Sequence, residues 1–209
     1  MAYAEKKDHW RDAAVAGVYD ERRFRGRLGR VKHARDARLV LGLLERAGGL
    51  SSVLDLPAGT GRLLPDLAAA GYRVLGADLA REMLAAGRER RGAAALLLQA
   101  DGERLPLADG AVDAVVSVRF LFHVDERESR AAILREMARV ARRCVVGEVR
   151  FGGTWKHVSR TLRRHDKLRP AFDRAALADE LAAAGLTLAR IAPVSRLFSD
   201  KAFFLALHR

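Results

Sequence analysis

Apolar positions recur along this chain at two spacings, helical and strand-like, and their alternation sets the expected architecture. Over residues 8–47, Trp10, Val15, Val18, Tyr19, Phe24, Leu28 and Val31 stand among charged residues, which predicts one or two amphipathic helices. The Gly-Gly-Leu at 48–50 ends the second of them. SSVLDL (51–56) then reads as a short buried strand, a glycine-bearing turn follows, and LLPDLAAA (63–70) makes a helix closed by Gly71. Tyr72 to Ala77 is a second strand ended by Asp78, and LAREMLAAGRERR (79–91) a second helix. AAALLLQA (93–100) is a third strand ending at Asp101, and AVDAVVSV (111–118) a fourth. Asp125 is placed to cap a helix over 127–142, and CVVGEV (144–149) is a fifth strand. Strands alternating with helices predict a parallel sheet covered on both faces.

After Val149 the pattern changes. Residues 155–167 read as a basic helix followed by Arg169-Pro170. Asp173 caps a further helix, with Phe172 and Leu177 spaced as a hydrophobic staple and Gly185 at its end. LTLARIAPV (186–194) and KAFFLALH (201–208) read as two strands joined through RLFSD. Neither a repeat nor a low-complexity linker divides the chain, so one domain over residues 1–209 is expected.

Composition narrows the class. There is no apolar run of about 18 residues, hence no readable membrane span. MAYAEKKDHWRD lacks an apolar signal core, and Cys144, the single cysteine, sits in an apolar run as a core thiol. Together these point to a cytoplasmic protein without disulfides. The six histidines are scattered without ligand pairing, so no metal is expected. The net charge of +12 is unevenly spread: residues 1–38 hold 11 Lys/Arg against 6 Asp/Glu, and 150–169 hold 7 against 1. Between them, residues 39–149 balance at 15 of each. Such segments are either solvated faces or a positive rim that attracts an anionic partner.

The chemistry concentrates in VLDLPAGTGRLL (53–64). Gly59 and Gly61 allow a backbone to approach a ligand and present amides at a helix N-terminus. Asp78 ends the second strand, where a carboxylate can accept from both hydroxyls of a ribose, and Asp101-Gly102 end the third. A nicotinamide dinucleotide is the competing ligand, but Leu64 stands where its fingerprint needs a third glycine.

This arrangement resembles the class I S-adenosylmethionine-dependent methyltransferases over nearly the whole chain, including LPLADGAVDAVVS (105–117) and the closing strand pair. The family's first motif carries a glycine where Pro57 stands here. The resemblance implies a Rossmann-like, doubly wound α/β sheet of seven mostly parallel strands with an antiparallel C-terminal strand and helices on both faces. It also implies an N-terminal helical lid (1–47), a cofactor-binding core (48–149), a basic helical insertion (150–170) and a C-terminal helix and strand pair (171–209). S-adenosylmethionine would be the methyl donor and S-adenosylhomocysteine the product. By resemblance Asp55 orients the loop and meets the methionine ammonium, Asp78 holds the ribose and Asp101 the adenine. Pro57, Ala58, Gly59, Gly61, Leu79, Gly102, Glu103 and Ser117 complete the expected donor site.

On the acceptor side, His123 is a candidate general base or a histidine satisfying backbone groups. Arg119 is a candidate partner for a substrate anion or for a nearby acid, and Tyr19 either closes the pocket from the lid or packs there. Glu148, at the end of the fifth strand, points to the same edge. Lys156, Arg160, Arg163, Arg164 and Lys167 on the basic helix and Arg22, Arg23, Arg25, Arg27 and Arg30 on the lid would flank the mouth. The leading expectation is therefore an O- or N-methyltransferase of a small, anionic metabolite. The rivals are a nucleic-acid methyltransferase and a non-catalytic S-adenosylmethionine-binding protein.

Overall fold

The computed structural model describes residues 26–91, 96–152, 172–195 and 199–208. Helix α1 (Gly26–Ala47) leads into β1 (Ser52–Asp55), followed by α2 (Leu64–Ala69), β2 (Arg73–Asp78), α3 (Arg81–Arg91) and β3 (Leu96–Gln99). Then come β4 (Val112–Ser117), a single 3-10 turn (Leu121–His123), α4 (Arg127–Val140), β5 (Ala141–Arg150), α5 (Arg174–Ala183), β6 (Leu186–Pro193) and β7 (Lys201–His208). The seven strands form one sheet in the order β3-β2-β1-β4-β5-β7-β6. Strands β1 to β5 pair in parallel, and β7 runs antiparallel between β5 and β6. This is the expected doubly wound sheet with its reversed C-terminal strand. No helix among the described residues is long and apolar enough to cross a membrane.

Side-chain alternation along the central strands explains the two covered faces. Leu54, Val115 and Val145 point into a core with Ile133, Leu134 and Met137 of α4 and Leu177 and Leu181 of α5. Their neighbours Val53, Val116 and Val146 point the other way, against Val40, Leu43 and Leu44 of α1 and Leu67 of α2. Burial on both sides is why these strands read as continuous apolar runs. Cys144 is fully buried in the second core, and burial pushes its thiol up to about 12.

Local signals mostly hold where they were read. Asp173 caps α5 by accepting from the Ala176 amide at 2.7 Å, and Phe172 and Leu177 are buried in one core cluster. The expected cap of α4 is different: Glu126 occupies the N-cap position, and its side chain makes no cap bond. Helix α4 also ends two residues early, because β5 begins at Ala141 with no connecting residue between them. Residues 1–25 of the expected lid, including Tyr19, and the expected basic helix at 155–167 lie outside the described residues.

Candidate active site

Strand order reverses about β1, whose neighbours β2 and β4 lead away in opposite directions, and such a switch point opens a crevice at the carboxyl edge of the sheet. A cleft of about 1070 Å³, counted out to its open mouth, lies at the carboxyl ends of β1 to β4, and its wall includes Asp55, Asp78 and Asp101. Backbone hydrogen bonds brace the loop after β1. The Ala58 amide donates to Ala77 O at 2.8 Å, the Gly61 amide to Ala58 O at 2.9 Å, and Leu56–Pro57 is a cis peptide. Gly59 and Gly61 have φ of 57° and 70°, a region that strongly favours glycine. A Cβ on Gly59 would meet nothing within 4 Å, so its bare face is open. Gly61 serves packing instead, since a Cβ there would lie 2.9 Å from Leu64 Cδ1.

Asp78 ties this loop to β2. Its Oδ2 accepts from the Gly59 amide at 2.7 Å and its Oδ1 from the Ala80 amide at 2.9 Å. A carboxylate oxygen can accept more than one hydrogen bond, so these bonds do not exhaust its acceptor capacity. Burial raises the Asp78 carboxyl above its ordinary range, opposed by those amide bonds. Asp55 is buried more deeply, at 2% exposure. Desolvation lifts it to about 8, against the pull of the Arg62 guanidinium and with a push from Asp78. Asp101 lines the cleft, and its Oδ1 accepts from the Glu103 amide at 3.0 Å.

Among the expected donor-site residues, Asp55, Pro57, Ala58, Gly59, Asp78, Leu79, Asp101 and Gly102 line the cleft. Gly61, Glu103 and Ser117 do not. Ser117 is fully buried, and its hydroxyl has no hydrogen-bond partner among the described residues. The wall also uses Thr60, Arg62, Leu63, Met83 and Phe120, which sequence reasoning missed. Leu63 and Met83 fall in segments that the sequence marks only as helices. Arg62 had the signal of a charge directly beside the glycine turn. Its Nη1 donates to His33 Nδ1 of α1 at 2.5 Å, and His33 Nε2 lies 3.0 Å from Asp66 Oδ2. Because arginine only donates, Nδ1 must accept and Nε2 carries the proton.

At the β4 end, Arg119 and His123 both line the cleft. Arg119 has φ of 62°, uncommon for a residue with a side chain, and its amide donates to Glu148 Oε2 at 3.0 Å. Its guanidinium meets Asp36 of α1 at 3.1 Å, so of the two readings the pairing with a nearby acid is the one seen. Glu148 is fully buried and also receives Lys201 Nζ, which makes it an internal clamp rather than a wall of the cleft. The ring of Phe122 carries Arg150 at 4.8 Å and Lys201 at 5.0 Å over it, and His123 lies against the same ring at 4.8 Å.

The comparisons agree with this geometry. Residues 54–144 match a family model described as a methyltransferase domain. A demethylmenaquinone methyltransferase of Beutenbergia cavernae is 42% identical over 99 residues, 46% of this chain and 40% of that relative. One from Mycobacterium marinum is 41% identical over 97 residues, 46% of this chain and 39% of that relative. The matched segments thus span about two fifths of the relatives' length. Among solved structures, magnesium protoporphyrin IX methyltransferase of Synechocystis with bound SAH superposes with a TM-score of 0.79 at 19% identity, covering 99% of this chain and 100% of that one. Residues 54–144 therefore resemble a methyltransferase domain, set in a chain that shares the fold of the solved methyltransferase.

Proposed function

We propose that this protein transfers a methyl group from S-adenosylmethionine to an oxygen or nitrogen of a small, anionic acceptor. The observation that carries the reading is the placement of three acidic strand ends and the open Gly59 turn on one cleft. The residues fit the donor. Asp78 would accept the ribose hydroxyls with the lone pairs its backbone bonds leave over, Asp101 would accept from the adenine amine, and Asp55 would face the ammonium. When bound, the donor supplies a methyl already activated on a sulfonium. What the chain adds is orientation and exclusion of water. Leu63, Met83, Val118 and Phe120 provide the apolar wall for the second task. His123, which lines the cleft, would take the acceptor's proton, while Arg119, bound to Asp36, would keep the β4 loop in place. The basic surplus in residues 1–38 and 150–169 supports an anionic acceptor.

A second reading is methylation of a demethylmenaquinone-like acceptor, favoured by the 42% and 41% identical relatives and by the apolar wall. The family model ends at Cys144, before β6 and β7, so it covers the donor half more than the acceptor half. Calorimetry with S-adenosylhomocysteine tests the donor site. Asp78→Ala should weaken binding about 10- to 100-fold, the scale of lost hydrogen bonds to a charged group. Unchanged binding would overturn the ribose assignment, and no binding by the parent chain would overturn the whole reading. Labelled methyl incorporation into acidic metabolites, a quinol and RNA then separates the acceptor classes. His123→Asn should lower kcat while leaving donor affinity intact.

A further inference from the structure

The outward face of α1 has a composition that packing against the sheet does not explain. The helix turns Gly29, Asp36, Val40, Leu43 and Leu44 inward. At roughly 100° per residue, Arg27, Leu28, Val31 and Arg38 share the opposite side within roughly 100° of arc. Leu28 is 75% exposed and Val31 60%, two of the three large apolar side chains so exposed among the described residues. Arg30 and Lys32, also exposed, flank them. From Gly26 to Leu44 the helix carries one acidic residue, Asp36, and that one is buried and bound to Arg35 and Arg119. Among the described residues the face is thus an apolar pair flanked by cations, and the exposed acid of the helix, Glu45, lies seven residues beyond Arg38.

We propose that this face docks on an anionic lipid bilayer surface. Lipid interfaces suit this combination: the apolar side chains enter the headgroup–acyl boundary, and the long cationic side chains stay among the phosphates. A nucleic acid would use the charges and leave Leu28 and Val31 without a role, since single strands are gripped by aromatic stacking, which the face does not offer. Docking also bears on the cleft. His33 on the same helix receives the bond from Arg62 of the cleft wall, so α1 would hold the cleft beside the lipid surface. An acceptor carried in that surface would then reach His123 without first dispersing in water. The docking itself is independent of methyl transfer.

Sedimentation of the full chain with vesicles tests it directly. One set is phosphatidylcholine alone, the other an equimolar mixture with phosphatidylglycerol. We expect binding to the mixture, little to phosphatidylcholine, and loss of binding as salt rises. Each cation near an anionic surface is worth roughly fivefold, so Arg27→Gln with Arg30→Gln should weaken binding about 25-fold. Leu28→Ser with Val31→Ser should weaken it at least about tenfold, without lowering the melting temperature, because both side chains are exposed. Equal binding to both vesicle types, binding to neither, or parent-like binding by both variants overturns the proposal. So does RNA binding that depends on Arg27 and Arg30 in a chain that ignores vesicles. A lower melting temperature for the serine variant in the absence of lipid would show that another part of the chain covers the pair, and would equally overturn it.

Discussion

Replacing Asp55 by Asn should stabilise the folded protein at pH 8 while weakening donor binding. Asp55 ends β1 fully buried, with its carboxyl lifted by desolvation from 3.8 to about 8. The folded state therefore keeps a proton that the unfolded chain gives up near pH 4. The sign follows: as pH rises through that window, the unfolded state releases its proton first and the wild-type chain loses stability. At 1.36 kcal/mol per pKa unit, linkage between pH 5 and pH 8 sets a ceiling of about 3.6 kcal/mol. The side chain lines an open cleft, where the effective dielectric is higher than in a dry interior, so we expect about 2 kcal/mol of that. For a chain of this size, 1 kcal/mol moves Tm by about 2–4 °C, so the variant's advantage should grow by about 4–8 °C from pH 5 to pH 8. Thermal melts followed by circular dichroism at the two pH values read this directly. Taking variant minus wild type removes every other titration common to both. An advantage that stays constant between pH 5 and pH 8, or shrinks, would refute the reasoning.

Other sites give independent tests. Asp113 accepts from the side chain and amide of Ser51 and of Ser52, at 2.7 to 3.0 Å, and these bonds hold its carboxyl well below the usual range. Asp113→Ala should cost about 2–3 kcal/mol at pH 7 by denaturant unfolding. That cost should shrink on acidification from pH 7 to pH 3, because the unfolded chain takes up its proton first and part of the carboxylate's advantage goes; an equal cost at both pH values would contradict it. Gly87 of α3 lets the helix approach the donor loop, since a Cβ there would lie 2.7 Å from Thr60 O. Gly87→Ala should therefore destabilise by about 1–3 kcal/mol and also weaken donor affinity in calorimetry. Burial, and then the charge of Arg62, push His33 below its ordinary 6.5, so its neutral form is the one folding favours. Stability linked to it is present above pH 6.5 and lost below, and melts of His33→Ala between pH 5 and pH 7 should show a flatter profile than the parent.

The strands were legible because burial on both faces leaves uninterrupted apolar runs, and the sheet-edge rule turned their acidic ends into a single location. Asp55, Asp78 and Asp101 met on one cleft for that reason. Strand β5 read short because Arg142 and Arg143 look like solvent residues, yet pairing of Ala141 with Val112 draws that stretch into the sheet. Ser117 and Glu103 lie outside the cleft lining, because adjacency to a strand end does not by itself place a residue on the cleft. The His33–Arg62 bond joins residues 29 positions apart, and only the docking of α1 on the sheet brings them together. No periodicity carries that information.

The junction of α4 with β5, where Val140 passes to Ala141 without a connecting residue, has a consequence for how relatives of this chain vary in length. One inserted residue must be absorbed by an element with a fixed phase. Taken into the helix, it turns the preceding residues by roughly 100° away from Met137's core partners. Taken into the strand, it sends every later side chain to the opposite face, so Glu148 would swing away from Arg119 and Lys201. Insertions and deletions at this point should therefore be purged, leaving a seam of constant length between the donor half of the molecule and the strands that close it.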